Sequence, residues 1–165
     1  MPERRMALAS TIFIIASMSN ANAATSVVLN TYDAWTAYSY RNDGKVLCYA
    51  ASSPKDIQPI GVDHGENYFM ITRSGRALRP QAAMGYPLKP GSAVVIDIGG
   101  ARFPTTPSQT HAWLTNSKLE PDLIGAMKHG HEMAISATSK RGTKTHYTYS
   151  LKGVTAALRM ISLCK

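Results

Sequence analysis

Apolar and polar side chains alternate with a period of two along most of the chain after residue 34, a pattern that predicts half-buried strands. Residues 34–40 and 45–52 form the first such pair, separated by Arg41-Asn42-Asp43-Gly44, whose Asp-Gly tolerates the positive φ angles of a tight hairpin. Residues 67–73 (Asn67-Tyr68-Phe69-Met70-Ile71-Thr72-Arg73) are too apolar to be exposed on both faces and predict a central strand. In residues 92–98, Val94, Ile96 and Ile98 share one face, and Gly99-Gly100 turns the chain into Ala101-Arg102-Phe103. His111-Ala112-Trp113-Leu114 is a short strand. Residues 132–138 and 144–151 form a last hairpin, with Met133, Ile135, Ala137, Thr145, Tyr147, Tyr149 and Leu151 on the apolar faces.

Between these runs, 53–65 and 85–91 are punctuated by Pro and Gly and read as connections, 74–80 reads as a polar, basic loop, and Pro, Thr and Ser after Phe103 read as another loop. Two segments have helical spacing instead. Ser117 or Asn116 can cap a short helix with Pro121 and Asp122 in its first turn, Leu123, Ile124 and Met127 as its apolar stripe and Gly130 as its C-cap. Val154, Leu158 and Ile161 mark a second, within 153–163. The expected fold class is mainly β: an antiparallel β-sandwich or partly open barrel with two short helices, one of them C-terminal.

The first residues change the picture of where this domain works. Met1-Pro2-Glu3-Arg4-Arg5 is a positive n-region, residues 6–18 are an apolar run too short to span a bilayer, and Ala21-Asn22-Ala23 offers the small residues that signal peptidase requires. Residues 1–23 are therefore expected to be a cleaved signal peptide and 24–165 a single exported domain, in the periplasm, the cell envelope or the medium of a Gram-negative bacterium. No later stretch is long and apolar enough for a transmembrane helix.

Charge and cysteine count then narrow the partners. Eighteen Lys and Arg against ten Asp and Glu give a net charge of +8, and loss of Glu3, Arg4 and Arg5 lowers it to +7. Such a surface favours anionic partners through a screened, weakly specific field, without implying a specific nucleic-acid site. Arg73, Arg76 and Arg79 form one basic group and Lys140, Arg141 and Lys144 another. The first lies in the segment read as a Gly/Pro-flanked loop, and its three arginines are the candidate residues for binding an unknown protein or an anionic envelope or host surface. Cys48 and Cys164 are the two cysteines, and an even count in an exported chain predicts one intramolecular disulfide.

Catalytic chemistry has no local signature. His64, His111, His129, His131 and His146 supply imidazoles, but no Gly-x-Ser-x-Gly elbow or His-Glu-x-x-His is present. A non-enzymatic role is expected, with no cofactor and no metal site. The alternative is a periplasmic hydrolase whose histidines and carboxylates are brought together from distant positions. His129-x-His131 straddles the end of a helix and need not converge on a metal. Trp35, Tyr68, Phe69, Trp113, Tyr147 and Tyr149 all fall on predicted strands and read as core rather than as a ligand platform.

Taken in order, several short motifs resemble the invasion-associated locus B proteins, small exported proteins of alphaproteobacteria. The likeness runs from about Trp35 to Cys164. It is carried by Cys48-Tyr49-Ala50-Ala51-Ser52 with Pro54-Lys55, by Tyr68-Phe69-Met70, by Gly85-Tyr86-Pro87-Leu88-Lys89-Pro90-Gly91-Ser92, by Ala112-Trp113, and by Ala126-Met127-Lys128 with Gly130. Thr138-Ser139, Arg141-Gly142-Thr143-Lys144-Thr145, Thr148-Tyr149-Ser150-Leu151, Gly153 and Ala156-Ala157-Leu158 extend it. The chain departs from the family at Tyr147, often an acidic residue there, and at Val154, often phenylalanine. The resemblance implies an association with host-cell invasion and brings no catalytic residue, cofactor or binding residue with it.

Overall fold

A computed structural model describes residues 25–164, so the expected signal peptide at 1–23 lies outside the described residues. The strands are β1 (Val27–Tyr32), β2 (Trp35–Asn42), β3 (Lys45–Ser52), β4 (Asp56–Gln58), β5 (Tyr68–Ser74), β6 (Ala77–Ala83), β7 (Val94–Ile98), β8 (Ala101–Ser108), β9 (His111–Leu114), β10 (Glu132–Thr138) and β11 (Lys144–Ser150). A 3-10 turn (Ser117–Leu119) leads into helix α1 (Glu120–His129), and helix α2 (Val154–Leu163) follows β11.

All eleven strands join one antiparallel sheet in the order β1-β2-β3-β5-β6-β9-β8-β7-β10-β11-β4. The sheet coils on itself, because residues 53–55 are the only link between β3 and β4 although these strands lie in opposite flanks of the order. At no more than about 3.6 Å per residue, that link brings the last strand back beside the third. Apolar inner faces then meet across the interior. Trp35 of β2 packs edge-on to Phe69 of β5 at 6.4 Å, and Phe69 packs on Tyr149 of β11 at 6.3 Å. The Trp35 indole N–H donates to the Ser150 carbonyl at 2.9 Å, which satisfies the one polar atom this side chain takes into the core. The sheet stays open, so the sandwich and barrel expectations resolve into one coiled sheet with two facing flanks.

Four strands differ from the sequence expectation, each for a local reason. In β1 every residue except Tyr32 is exposed, so no alternation marks it. β4 has three residues, two of them polar, inside the segment read as a loop. β6 occupies most of the segment read as a basic loop, closing a hairpin with β5 across Gly75-Arg76. β8 runs on past Phe103 through Pro104 and Pro107. Strand β7 ladders with Ala101–Thr105 and β9 with Thr105–Ser108, so each proline lies where the strand is paired mainly on one side and a missing N–H breaks no second ladder.

The helices touch each other and pack on the sheet, α1 against β6 and α2 against β1, β2, β3 and β5. Asn116 caps the 3-10 turn by accepting from the Lys118 N–H, and Leu123, Ile124 and Met127 of α1 are buried as expected. Gly130 ends α1 with φ −82°, not left-handed; it is small because a Cβ there would come within 2.7 Å of Ile98 and 2.9 Å of Leu151. Helix α2 buries Val154, Ala157, Leu158 and Ile161 against the inner face of β2, β3 and β5. Its start is set by Gly153, at φ 92°, where a Cβ would lie 1.9 Å from the Tyr32 carbonyl oxygen.

Its end is set by covalent chemistry. Cys48 of β3 and Cys164 are disulfide-bonded, with Cα atoms 6.4 Å apart and a sequence separation of 116. Cys48→Ser is expected to lower stability by roughly 2–5 kcal/mol, the range for native bridges closing loops of this kind. Urea unfolding of wild type and variant checks the magnitude, and alkylation of the native protein without reductant followed by mass spectrometry should label neither cysteine.

Candidate functional site

The three arginines singled out by sequence sit on a tight hairpin and face three ways. Arg73, on β5, turns inward: its guanidinium donates to the Gly75 carbonyl at 2.9 Å, to Ile161 O at 3.4 Å and to Cys164 O at the end of α2. A fixed cation there adds a donor to the carbonyls at the helix end, where Ile161 O also accepts the Cys164 N–H, and opposes the negative end of the dipole. Arg79, on β6, makes two 3.1 Å bonds to the Glu120 carboxylate in the first turn of α1. Arg76 occupies the exposed turn and makes no ion pair among the described residues. It borders a groove of about 430 Å³ floored by Leu78 and Ile124, with Lys118 and Lys128 as the other cations on its edge.

A second and larger recess, about 730 Å³, opens where the loop preceding β5, the segment after β6 and the β10–β11 hairpin meet. His64 lies at its base. Its Nε2 sits 2.8 Å from the Pro59 carbonyl, which can only accept, so Nε2 carries a proton. Nδ1 sits 2.7 Å from the Tyr147 hydroxyl, which is 3.1 Å from the Tyr86 hydroxyl, itself 2.6 Å from Thr145 Oγ1; Thr145 Oγ1 is 3.3 Å from the Ala137 carbonyl. The Tyr147 hydroxyl donates to Tyr86 and Thr145 Oγ1 donates to the Ala137 carbonyl, so the hydroxyl protons of this chain point from Tyr147 towards Ala137. Burial and the bond to Tyr86 hold the Tyr147 phenol well above its ordinary pKa.

Three of the remaining histidines have separate partners. His111 bonds to Thr110 and stacks on Trp113, His129 bonds to the Gly125 carbonyl in the last turn of α1, and His146 bonds to Ser136. Among the described residues no histidine is hydrogen-bonded to a carboxylate, and no three or more His, Cys, Asp or Glu side chains converge as a metal site. Trp35, Phe69, Tyr147 and Tyr149 are core residues as expected, while Trp113 is 42 % exposed on the outer face of β9. Sequence reasoning missed the His64–Tyr147 contact, which spans 83 residues of chain and has no local signature.

Residues 41–162 match the family model described as invasion associated locus B (IalB) protein. The chain belongs to the IalB family. A solved structure, invasion associated protein B from Bartonella henselae, superposes with a TM-score of 0.61 at 12% sequence identity, covering 81% of this chain and 93% of that one. At that identity the likeness shows a shared fold. No curated protein matches the chain.

In this IalB-family chain the Tyr149 hydroxyl is the one buried side-chain polar atom without a hydrogen-bond partner among the described residues. Burial, reinforced by the nearby Tyr86, raises its pKa above the ordinary 10.0. Tyr149→Phe removes an unpaired hydroxyl and leaves the ring contacts, so it is expected to leave stability at neutral pH unchanged or to raise it by about 1 kcal/mol. Above pH 10 the unfolded tyrosines release protons that the native state retains, so wild-type stability falls as pH rises. Tyr149→Phe should fall less steeply, since one of the retained protons is gone. Urea midpoints of both proteins at neutral pH and above pH 10 measure both effects.

Proposed function

We propose that this protein is exported and acts in the cell envelope or at the host surface as a non-enzymatic IalB-type binding protein, whose partner presents negative charge. The observation that carries the reading is the groove beside α1, where Arg76, Lys118 and Lys128 are all exposed around an apolar floor. Arg79 contributes less to such a surface, because Glu120 neutralises it, and Arg73 contributes through its hold on α2. Among the described residues the hydrolase alternative lacks the histidine–carboxylate contact that would activate a nucleophile. Export is supported by the signal-peptide pattern of residues 1–23 and is compatible with a disulfide, a bond that persists in oxidising compartments.

Two measurements test this. N-terminal sequencing of protein recovered outside the cytoplasm should begin at Ala24; recovery of a chain beginning at Met1 would overturn the export reading. Binding to a heparin column or to anionic vesicles should weaken steeply with salt, since exposed charges act over about 8 Å at physiological ionic strength and about 3 Å at 1 M. A variant with Arg76, Lys118 and Lys128 changed to Ser should elute at clearly lower salt than wild type with its unfolding midpoint nearly unchanged. Arg73→Ser, by contrast, should lower the unfolding midpoint more than it changes elution. Coelution of the triple variant with wild type at every salt concentration would remove the groove from the proposal.

A further inference from the structure

The recess above His64 is independent of the groove beside α1, and we propose that it is a binding site for a small anionic amphiphile, one negatively charged group on an apolar body. Its volume of about 730 Å³ falls within the range that encloses a ligand of this size. The apolar wall is made by Val62, Pro87 and the Tyr86 ring, and the polar rim by Lys140 and Arg141. Both cations are exposed, and neither forms a salt bridge among the described residues. Asp63 also lines the recess, its carboxylate accepting the Gly65 N–H at 2.9 Å, and its one negative charge against Lys140 and Arg141 leaves a positive excess.

The walls are held before any ligand arrives. Asn67, 4 % exposed, donates to the His64 and Gly65 carbonyls at 2.9 and 3.3 Å and accepts the Gly85 N–H at 3.1 Å, stitching one wall to the other. Gly65 and Gly85 pass so closely that a Cβ on Gly85 would lie 2.4 Å from the Glu66 nitrogen. On the rim, the Lys140 N–H donates to the Pro87 carbonyl at 2.8 Å, and the hairpin turn closes with Ser139 N–H to Thr143 O at 2.9 Å and Thr143 N–H to Ser139 Oγ at 3.1 Å. The His64–Tyr147–Tyr86–Thr145 chain pairs the polar atoms at the base with one another, which leaves Lys140 and Arg141 as the groups that choose the ligand. An anion pairs with them, and its apolar part covers Val62, Pro87 and Tyr86. Such a division of labour, few charged groups and an apolar wall, sets orientation by charge and affinity by burial.

The probe is decanoate below its micellar concentration, titrated into the native disulfide-bonded protein, with binding followed by calorimetry and by backbone amide shifts. Saturable binding is expected, with shifts concentrated at residues 62–64, 86–87 and 139–143. Lys140→Ser with Arg141→Ser should weaken binding about tenfold or more, as loss of charge-assisted contacts does. Val62→Asp, at a position 45 % exposed and therefore safe for folding, should weaken it comparably. Decanol should bind more weakly than decanoate for want of the charge, and sulfate more weakly for want of the apolar body. The Arg76/Lys118/Lys128 variant should bind decanoate like wild type, so failure here and failure of the proposed function are separable. Absence of saturable decanoate binding, shifts elsewhere on the sheet, unchanged affinity in both site variants, or sulfate binding as tightly as decanoate would each overturn the proposal.

Discussion

The packing of Trp35, Phe69 and Tyr149 across the interior is the contact on which the rest of the structure depends. A flat eleven-stranded sheet would leave one apolar face in water, and two short helices cannot cover it. Coiling the sheet until β2, β5 and β11 meet buries that face against itself, at ring separations of 6.3 and 6.4 Å. The same coil carries β4 from the end of β3 to the far flank, and so creates the corner in which the loop before β5 reaches Tyr147. Without it, neither the hydroxyl chain nor the recess above His64 would exist.

Helix α2 depends on that coil and reinforces it. Its first turn leans on the β1–β2 turn through Gly153 and Tyr32, where Lys152 also pairs with Asp33 at 2.8 Å. Its last turn is tied to β3 by the disulfide and to β5 by Arg73, from neighbouring strands of the same inner face. The covalent bond restricts the unfolded chain, while the arginine acts in the native state by satisfying carbonyls at the helix end. One of the most conspicuous cations of the sequence is thus part of the framework, and the exposed charge on this side of the molecule lies on Arg76 and on lysines of α1 and the 3-10 turn.

Polar groups in this protein are placed by two different rules. Inside, they are paired with one another, as in the Asn67 stitch and the His64 to Thr145 chain, because an unpaired group in the interior costs free energy. Tyr149 is the exception among the described residues. At the surface, some of the cations that form no ion pair among the described residues border two recesses, the groove beside α1 and the rim of the His64 recess, next to apolar side chains. Both recesses are therefore suited to ligands that combine charge with apolar surface.

The sequence by itself determined the mainly β class, the β2–β3 and β10–β11 hairpins with their inward faces, both helices with their buried stripes, the cysteine pairing and the family, because each rests on local periodicity, turn chemistry, residue type or short motifs in order. Strands β1, β4 and β6 and the extension of β8 were not legible: a strand that is exposed throughout, or that carries proline beside a one-sided ladder, lacks the alternation from which strands are read. Nor was the fate of Arg73, Arg76 and Arg79, whose Gly/Pro-flanked segment read as one basic loop. On a tight hairpin, strand pleat and turn send one arginine to a helix end, one to a carboxylate and one into solvent, and only the tertiary structure decides which neighbours each meets. The contact of His64 with Tyr147 belongs to the same class, since it depends on how far an open sheet coils, a quantity set by packing across the interior and not by any residue's neighbours in the chain.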